Sequence, residues 1–335
     1  MRATGEYAMF QGREYRVASR GQWPDGRRYV GLVLSDDPDD LDDGVVSGFD
    51  RVEWQTRPQR RLGFTTTARL DRYERVTTTG MFDGEQVVLY GTQGEVPCLH
   101  SRDPSWAELH GWSGSQHDGG WSGHAPLELI SDIREETVDL FRTEDHLARI
   151  ITAHHGAGFA PPATAQDFDA YRTAFGEDFP PALAEIYHVI GGGPFFDLTL
   201  LTVEDVIGAR RMWDDILTDS RPEDGHDDNI ESHAPHAVSA VYWKYGWVQF
   251  TADGGGNGFA IDLSPEPAGT VGQVINVGSD DDHRQRYAAS VPEFLSRLAT
   301  LIRTGQATTT NGHWHFTHPE HPDPTLLTAL DPRQT

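Results

Sequence analysis

Histidines, carboxylate pairs and two kinds of glycine-rich run are the residues of this chain that could do chemistry. His313, His315, His318 and His321 cluster near the C-terminus, and alternate positions of an extended strand could bring His313 and His315 to one metal. Their threonine- and proline-rich surroundings read instead as a solvated tail. His146, His154 and His155 fall on a predicted helix; His146 and His154 are two turns apart, about 12 Å, too far to share an ion without a third element. All three are expected on the surface. No HExxH occurs, and the single cysteine, Cys98, rules out paired CxxC ligands. GWSGS from Gly111 and GWSGH from Gly120 lack the last glycine of a nucleophile elbow and read as turns. GGGNG from Gly254 lacks the lysine and hydroxyl residue of a phosphate loop, and a strand follows it where a helix would be needed. Asp253 and Asp262 flank that run, but Asp253 is a turn residue and Asp262 is expected to point outward by strand alternation. No catalytic, cofactor-binding or metal-ligating residue is assigned, and the chain is predicted not to be an enzyme.

The elements around the glycine run are the clearest in the chain. Val238 to Leu263, VSAVYWKYGWVQFTADGGGNGFAIDL, predicts strand, tight loop, strand. Alternation places Trp243, Tyr245 and Trp247 on one face. That face has two readings, an indole-filled core or an exposed edge for a partner. Downstream, Val271 to Gly278 predicts a third strand, and Val291 to Arg303 a helix capped by Ser290. Upstream, helices are predicted from Thr143 to a stop at Gly156, over 165–175, from Pro181 to Gly191, and from Val203 to Trp213. Asp214 to Ala234 reads as a long acidic loop. Asp132 to Leu140 reads as a charged helix.

The first 130 residues lack a helical period and are predicted all-β. A weak repeat runs through them: Met9, Phe10 and Gly12 align with Met81, Phe82 and Gly84, Asp37-Pro38 with Asp103-Pro104, and Leu70 with Leu127. This suggests two small β units packed as one domain. The expected architecture is α+β: a β-rich domain over 1–130, an α+β domain with a mostly antiparallel sheet and flanking helices over 131–304, and a tail over 305–335.

Of the 335 residues, 27 are lysine or arginine and 52 aspartate or glutamate, a formal net charge of −25. Such a charge disfavours direct nucleic-acid contact and suits either simple solubility or a basic protein partner. The first residues lack the apolar core of a signal peptide, and no apolar run approaches the roughly 18 residues of a membrane span. The expectation is a cytoplasmic protein.

FGEDFPPALAEIYHVIGGG, then an acidic loop with an upstream tryptophan, TADGGGNGFAIDL, VGQVINVG and VPEFLSRLATLI follow one another in an order that resembles the SUKH superfamily, over Thr143 to Arg303. Phe179-Pro180 leading into Gly191-Gly192-Gly193, and Asp253-Gly254 through Asn257-Gly258, carry the resemblance; Phe179 stands where the family usually has leucine. The resemblance implies an α+β fold without shared catalytic residues. For a bacterial member it implies an immunity protein that occludes a toxin, commonly a nuclease. On that reading the partner would meet Asp214, Asp215, Glu223, Asp224, Asp227, Asp228, Asp280, Asp281 and Asp282, whose carboxylates would stand in for phosphates, together with Trp243 and Trp247. The alternative is a regulatory or scaffold module that binds intracellular proteins without any toxin, as the yeast members imply. A third possibility is a hydrolase in Met1 to Ile130.

Overall fold

Three residue pairs, Gln11-Gly12, Asp83-Gly84 and Asn311-Gly312, hold positive φ at both positions, the conformation that lets a two-residue turn match the twist of the strands it joins. Each closes a hairpin. The computed structural model describes residues 2–35, 49–56, 59–93, 96–115, 120–155, 158–219, 230–319, 321–322 and 324–331. The chain divides into two units, Met1–Phe141 and Arg142–Thr335.

The first unit uses two of these turns to build one pattern twice. Strand β1 (Gly5–Phe10) turns at Gln11-Gly12 into β2 (Arg13–Gln22), which pairs with β3 (Arg28–Ser35). The hairpin β4 (Arg51–Thr56) and β5 (Gln59–Thr66) adds to β3, and after a 3-10 turn at Thr67–Arg69, β6 (Arg72–Phe82) returns beside β1. From β6 the pattern repeats. Asp83-Gly84 leads into β7 (Glu85–Gln93) and β8 (Val96–Ser101), a short helix α1 (Pro104–Leu109) follows, and β9 (Ser113–Ser115) and β10 (Gly120–His124) form the hairpin. A 3-10 turn at Leu127–Leu129 then delivers β11 (Ser131–Asp139) antiparallel to β6. Strand β6 thus closes the first copy and opens the second.

Each copy has its own apolar centre, Ala8, Phe10, Leu32, Leu70 and Tyr73 in one and Val87, Leu89, Leu99 and Ile130 in the other. The Phe10 and Phe82 alignment holds, since both end the strand before the tight turn. The Leu70 and Leu127 alignment does not. Leu70 and Ile130 both follow the 3-10 turn and donate their N–H to its first carbonyl, and both are buried, whereas Leu127 is exposed. Asp103 caps α1 by accepting from Trp106 N at 2.9 Å; its predicted counterpart, Asp37-Pro38, lies outside the described residues.

The helix expected over 132–140 is strand β11. Its side chains are all exposed, as befits a charged edge strand, and its ladder to β6 outweighs the helix-forming preference of its Glu and Arg residues.

In the second unit α2 (Thr143–Ala153), α3 (Ala165–Phe175), α4 (Pro181–Tyr187) and α5 (Val203–Asp219) precede most of the sheet, with β12 (Gly193–Phe195) and β13 (Leu198–Leu200) between α4 and α5. Thr164 and Asp167 cap α3 reciprocally. Phe179, the departure from the usual leucine, sits in an aromatic cluster with Phe168, Tyr171 and Tyr187. After α5 come β14 (Glu231–Ser232), β15 (Trp247–Gln249), β16 (Thr251–Ala252), β17 (Gly258–Asp262), β18 (Gln273–Val277), β19 (His283–Arg284) and β20 (Arg286–Ala288). Strands β15, β17, β18 and β20 form an antiparallel sheet in that order, while β16 joins β12 and β13 in a smaller one. Helix α6 (Val291–Arg303) is capped by Ser290, as its sequence predicts.

Both faces of the main sheet are covered. Val248, Phe250, Phe259, Ile261 and Val274 meet α6 and the other helices in the larger core. Trp247, Ala260, Ile275 and Val277 meet Trp213, Val238 and Trp243 on the opposite side. Every residue of β17 and β18 is therefore buried. That overturns the outward placement of Asp262, which is fully buried and accepts from Ser264 N at 2.9 Å and Gln273 Nε2 at 3.0 Å.

The expected tail instead folds back. Strands β21 (Ala307–Thr310) and β22 (His313–Phe316) pair across Asn311-Gly312, and α7 (Leu326–Ala329) follows. Phe316, Leu326 and Leu330 enter the larger core.

His154, expected on the surface, lies against Phe159, Phe196 and Trp314. Its Nε2 accepts from Phe196 N at 3.0 Å, which holds that residue at a φ of 59°. Burial, with a smaller contribution from His155, lowers its pKa from 6.5 to about 4. Between those values the unfolded chain binds a proton that the folded chain refuses, so stability falls as pH drops across the window. We expect a loss of about 2 kcal/mol, allowing for partial exposure. Urea unfolding near neutrality and at about pH 5 checks this, and His154→Gln should flatten the difference.

Candidate protein-binding cleft

Gly246 decides what the aromatic run presents. It takes a φ of 94°, Trp247 N bonds back to Lys244 O at 3.1 Å, and Leu263 N bonds to Gly246 O at 2.9 Å. The turn interrupts the alternation, so the strand starts only at Trp247 and residues 238–245 cross the sheet as irregular chain. Trp243 and Trp247 consequently both point inward. Trp243 stacks on Trp213 with centroids 4.6 Å apart and meets Trp247 edge-on at 5.7 Å, while Trp213 Nε1 donates to Gln249 Oε1 at 2.9 Å. Tyr245 is left 57 % exposed.

A cleft of about 540 Å³ opens beside Tyr245, with Leu217, Pro235, Val241 and Trp243 among its apolar walls. Its polar side is Lys244, whose Nζ donates to Ser239 Oγ at 2.8 Å and to Glu266 Oε1 at 3.1 Å. Ser239 and Lys244 hold the Glu266 carboxyl below its ordinary pKa. Tyr245 OH lies 3.3 Å from Thr218 Oγ1 on α5.

Arg284 fastens the cleft wall to the sheet. The residue is fully buried, and its guanidinium donates to the carbonyls of Val241 at 3.2 Å, Tyr242 at 2.9 Å and Gly278 at 3.2 Å. Nothing in the local sequence marks it, because an isolated arginine between polar neighbours reads as surface.

Among the described residues, the carboxylates nominated from the sequence fall on separate elements. Asp214 and Asp215 lie on α5, which runs past the predicted loop start. Asp214 is 3.8 Å from Arg210 Nε, and burial raises its pKa despite that arginine; Asp215 is exposed. Glu223, Asp224, Asp227 and Asp228 lie outside the described residues. Asp280 and Asp281 brace their own loop: Asn257 Nδ2 donates to Asp280 at 3.2 Å and Asp280 N to Asn257 Oδ1 at 3.0 Å, and Asn276 donates to Asp281. Asp282 is exposed. Trp243 and Trp247 are both buried, which is the core reading of that face, but Trp243 also lines the cleft and Trp247 does not. The exposed aromatic of the run is Tyr245, beside the cleft.

Asp253 is a loop brace too. Burial opposes its ionisation, but bonds from Asn257 Nδ2 at 2.8 Å and from Gly255 N at 2.7 Å outweigh it and hold the carboxyl below its usual range. The Gly254 run is accordingly a self-stapled turn.

Sheet, helices and cleft define an α+β module with an open groove on one side of a doubly covered sheet. Residues 162–297 match the SMI1 / KNR4 family (SUKH-1), so the second half of the chain carries a SUKH domain. The cell wall biosynthesis/cell cycle regulator smi1 of Schizosaccharomyces pombe is 32 % identical over 126 residues, 35 % of this chain and 25 % of its own length. KNR4/SMI1 homolog 2 of Debaryomyces hansenii is 35 % identical over 244 residues, covering 62 % and 37 %. The cell wall assembly regulator SMI1 of Saccharomyces cerevisiae is 35 % identical over 75 residues, covering 22 % and 15 %. The chain thus spans well under half the length of each of these relatives.

These relatives are fungal and two of them are named as regulators, which overturns the expectation of a bacterial toxin-immunity protein. That expectation rested on what the resemblance implies for a bacterial member, together with the acidic surface, and acidity is equally suited to other partners. Among the described residues no helix is long and apolar enough to cross a membrane.

Proposed function

We propose that this chain is a non-enzymatic regulatory protein whose SUKH domain binds a protein partner through the Tyr245 cleft. The match of residues 162–297 to a family whose named relatives are regulators carries the reading. The cleft supports it physically, because an exposed tyrosine beside apolar walls and a polar rim is the composition of a binding hot spot. The net charge of −25 favours a partner with a basic surface.

Affinity capture from the producing cells tests this, comparing the full chain with Tyr245→Asp and Leu217→Asp variants of unchanged melting behaviour. A discrete set of proteins should be depleted about tenfold or more by either substitution, the scale of a hot-spot loss above about 1.4 kcal/mol. Retention should also fall with added salt. Equal recovery by all three proteins would remove the cleft from the proposal.

A further inference from the structure

The short parallel ribbon of β14 and β19 places three potential ligands on one side. Glu231 stands opposite His283 in the register, with Glu231 N bonded to Asp282 O at 2.8 Å and His233 N to Arg284 O at 2.9 Å. Glu231 and His233 are two residues apart on extended chain, so their side chains share a face. A carboxylate oxygen and two imidazole nitrogens consequently lie within 4.8 Å of one another. The two rings stack with centroids 4.5 Å apart.

We propose that Glu231, His233 and His283 bind a zinc-class divalent transition metal. Two imidazoles and one carboxylate are the donor set of zinc, nickel or cobalt, and they are too few and too nitrogen-rich for calcium or magnesium. Water completes the shell, since Glu231 and His283 are exposed.

Groups behind the ligands are arranged as such a site requires. Gln285 Nε2 donates to Asp331 Oδ1 at 2.9 Å, which turns the amide so that Oε1 faces His233 Nδ1 at 3.3 Å. An acceptor there selects the tautomer protonated at Nδ1 and puts the lone pair on Nε2, the atom a metal needs. Gln285 is itself buried and anchored through its N–H to Asn276 Oδ1 at 2.7 Å. Asn276 Nδ2 also donates to His283 O at 2.6 Å, and Asp281 Oδ1 accepts from His283 N at 3.1 Å. The backbone of both histidines is thus fixed by the sheet, and closing the site needs only side-chain rotation. Bound metal would clamp the start of the 230–238 segment, which continues into the cleft wall at Pro235, onto the sheet. The site does not depend on the identity of any protein partner.

Calorimetric titration of zinc, nickel and magnesium chlorides into the untagged full chain tests the proposal. His233→Ala, His283→Ala and Glu231→Gln are compared with a His313→Ala/His315→Ala control that removes the exposed histidine pair of β22. Expected is one equivalent of zinc or nickel at micromolar affinity, no comparable magnesium binding, and a raised melting temperature with zinc. Affinity should fall at least about tenfold in either histidine variant, less in Glu231→Gln, and not in the β22 control. If His283→Ala folds poorly, Glu231→Gln and His233→Ala carry the comparison. Absence of micromolar zinc binding, or a loss that follows the β22 pair, overturns the assignment.

Discussion

Replacing Arg284 with methionine is expected to lower folding stability by about 4 kcal/mol. The guanidinium is fully buried and satisfies the carbonyls of Val241, Tyr242 and Gly278. Methionine fills much of the volume but donates nothing. Each carbonyl left without a partner costs about 1–3 kcal/mol when water cannot reach it. Because Val241 and Tyr242 belong to the chain that walls the cleft, the change should also loosen residues 238–245. Urea unfolding measures the first effect and amide hydrogen exchange the second. Unchanged stability with unchanged protection at Val241 and Tyr242 would show that these carbonyls find other donors.

Gly258→Ala should be nearly as damaging, at about 3–5 kcal/mol. Here space decides. A Cβ at Gly258 would overlap the carbonyl oxygen of Thr251, and that carbonyl is held in place by Gln249 Nε2 at 3.0 Å. Neighbouring Gly254 supplies the contrast, because its φ is 86° but nothing lies within 4 Å of the added carbon. Gly254→Ala should therefore cost only about 1 kcal/mol of backbone strain. Thermal unfolding of the two variants, side by side, separates overlap from strain.

Local features were legible in the sequence. Ser290 acts within its own helix's first turn, so neighbouring residues suffice to read it; Thr164 and Asp103 cap over the same short range and Gly12 and Gly84 sit in two-residue turns, but these were not read as caps or turns. The repeat in the first unit was visible for the same reason at Phe10 and Phe82; it slipped at Leu127 because the residue that matters, Ile130, is marked by its place after a 3-10 turn. Asn311-Gly312 was a strong hairpin signal hidden by the polar composition around it.

What the sequence could not settle was direction. The aromatic run Tyr242 to Trp247 contains the residues of both a core and a surface, and only the positive φ at Gly246 sends Trp243 and Trp247 inward and Tyr245 out. Asp262 alternates as an outward residue should, yet chain from 234 to 245 covers that face and buries it. Arg284 and His154 look like surface residues until distant carbonyls and aromatic rings close around them. Glu231 and His283 are far apart in sequence and meet only because two short strands pair in parallel. The sequence by itself determined the α+β class, the caps and turns, and the SUKH domain, because these depend on neighbours and short motifs. The tertiary structure alone decided which groups lie in the cleft, which are buried and which converge, because burial and proximity depend on residues distant in the chain.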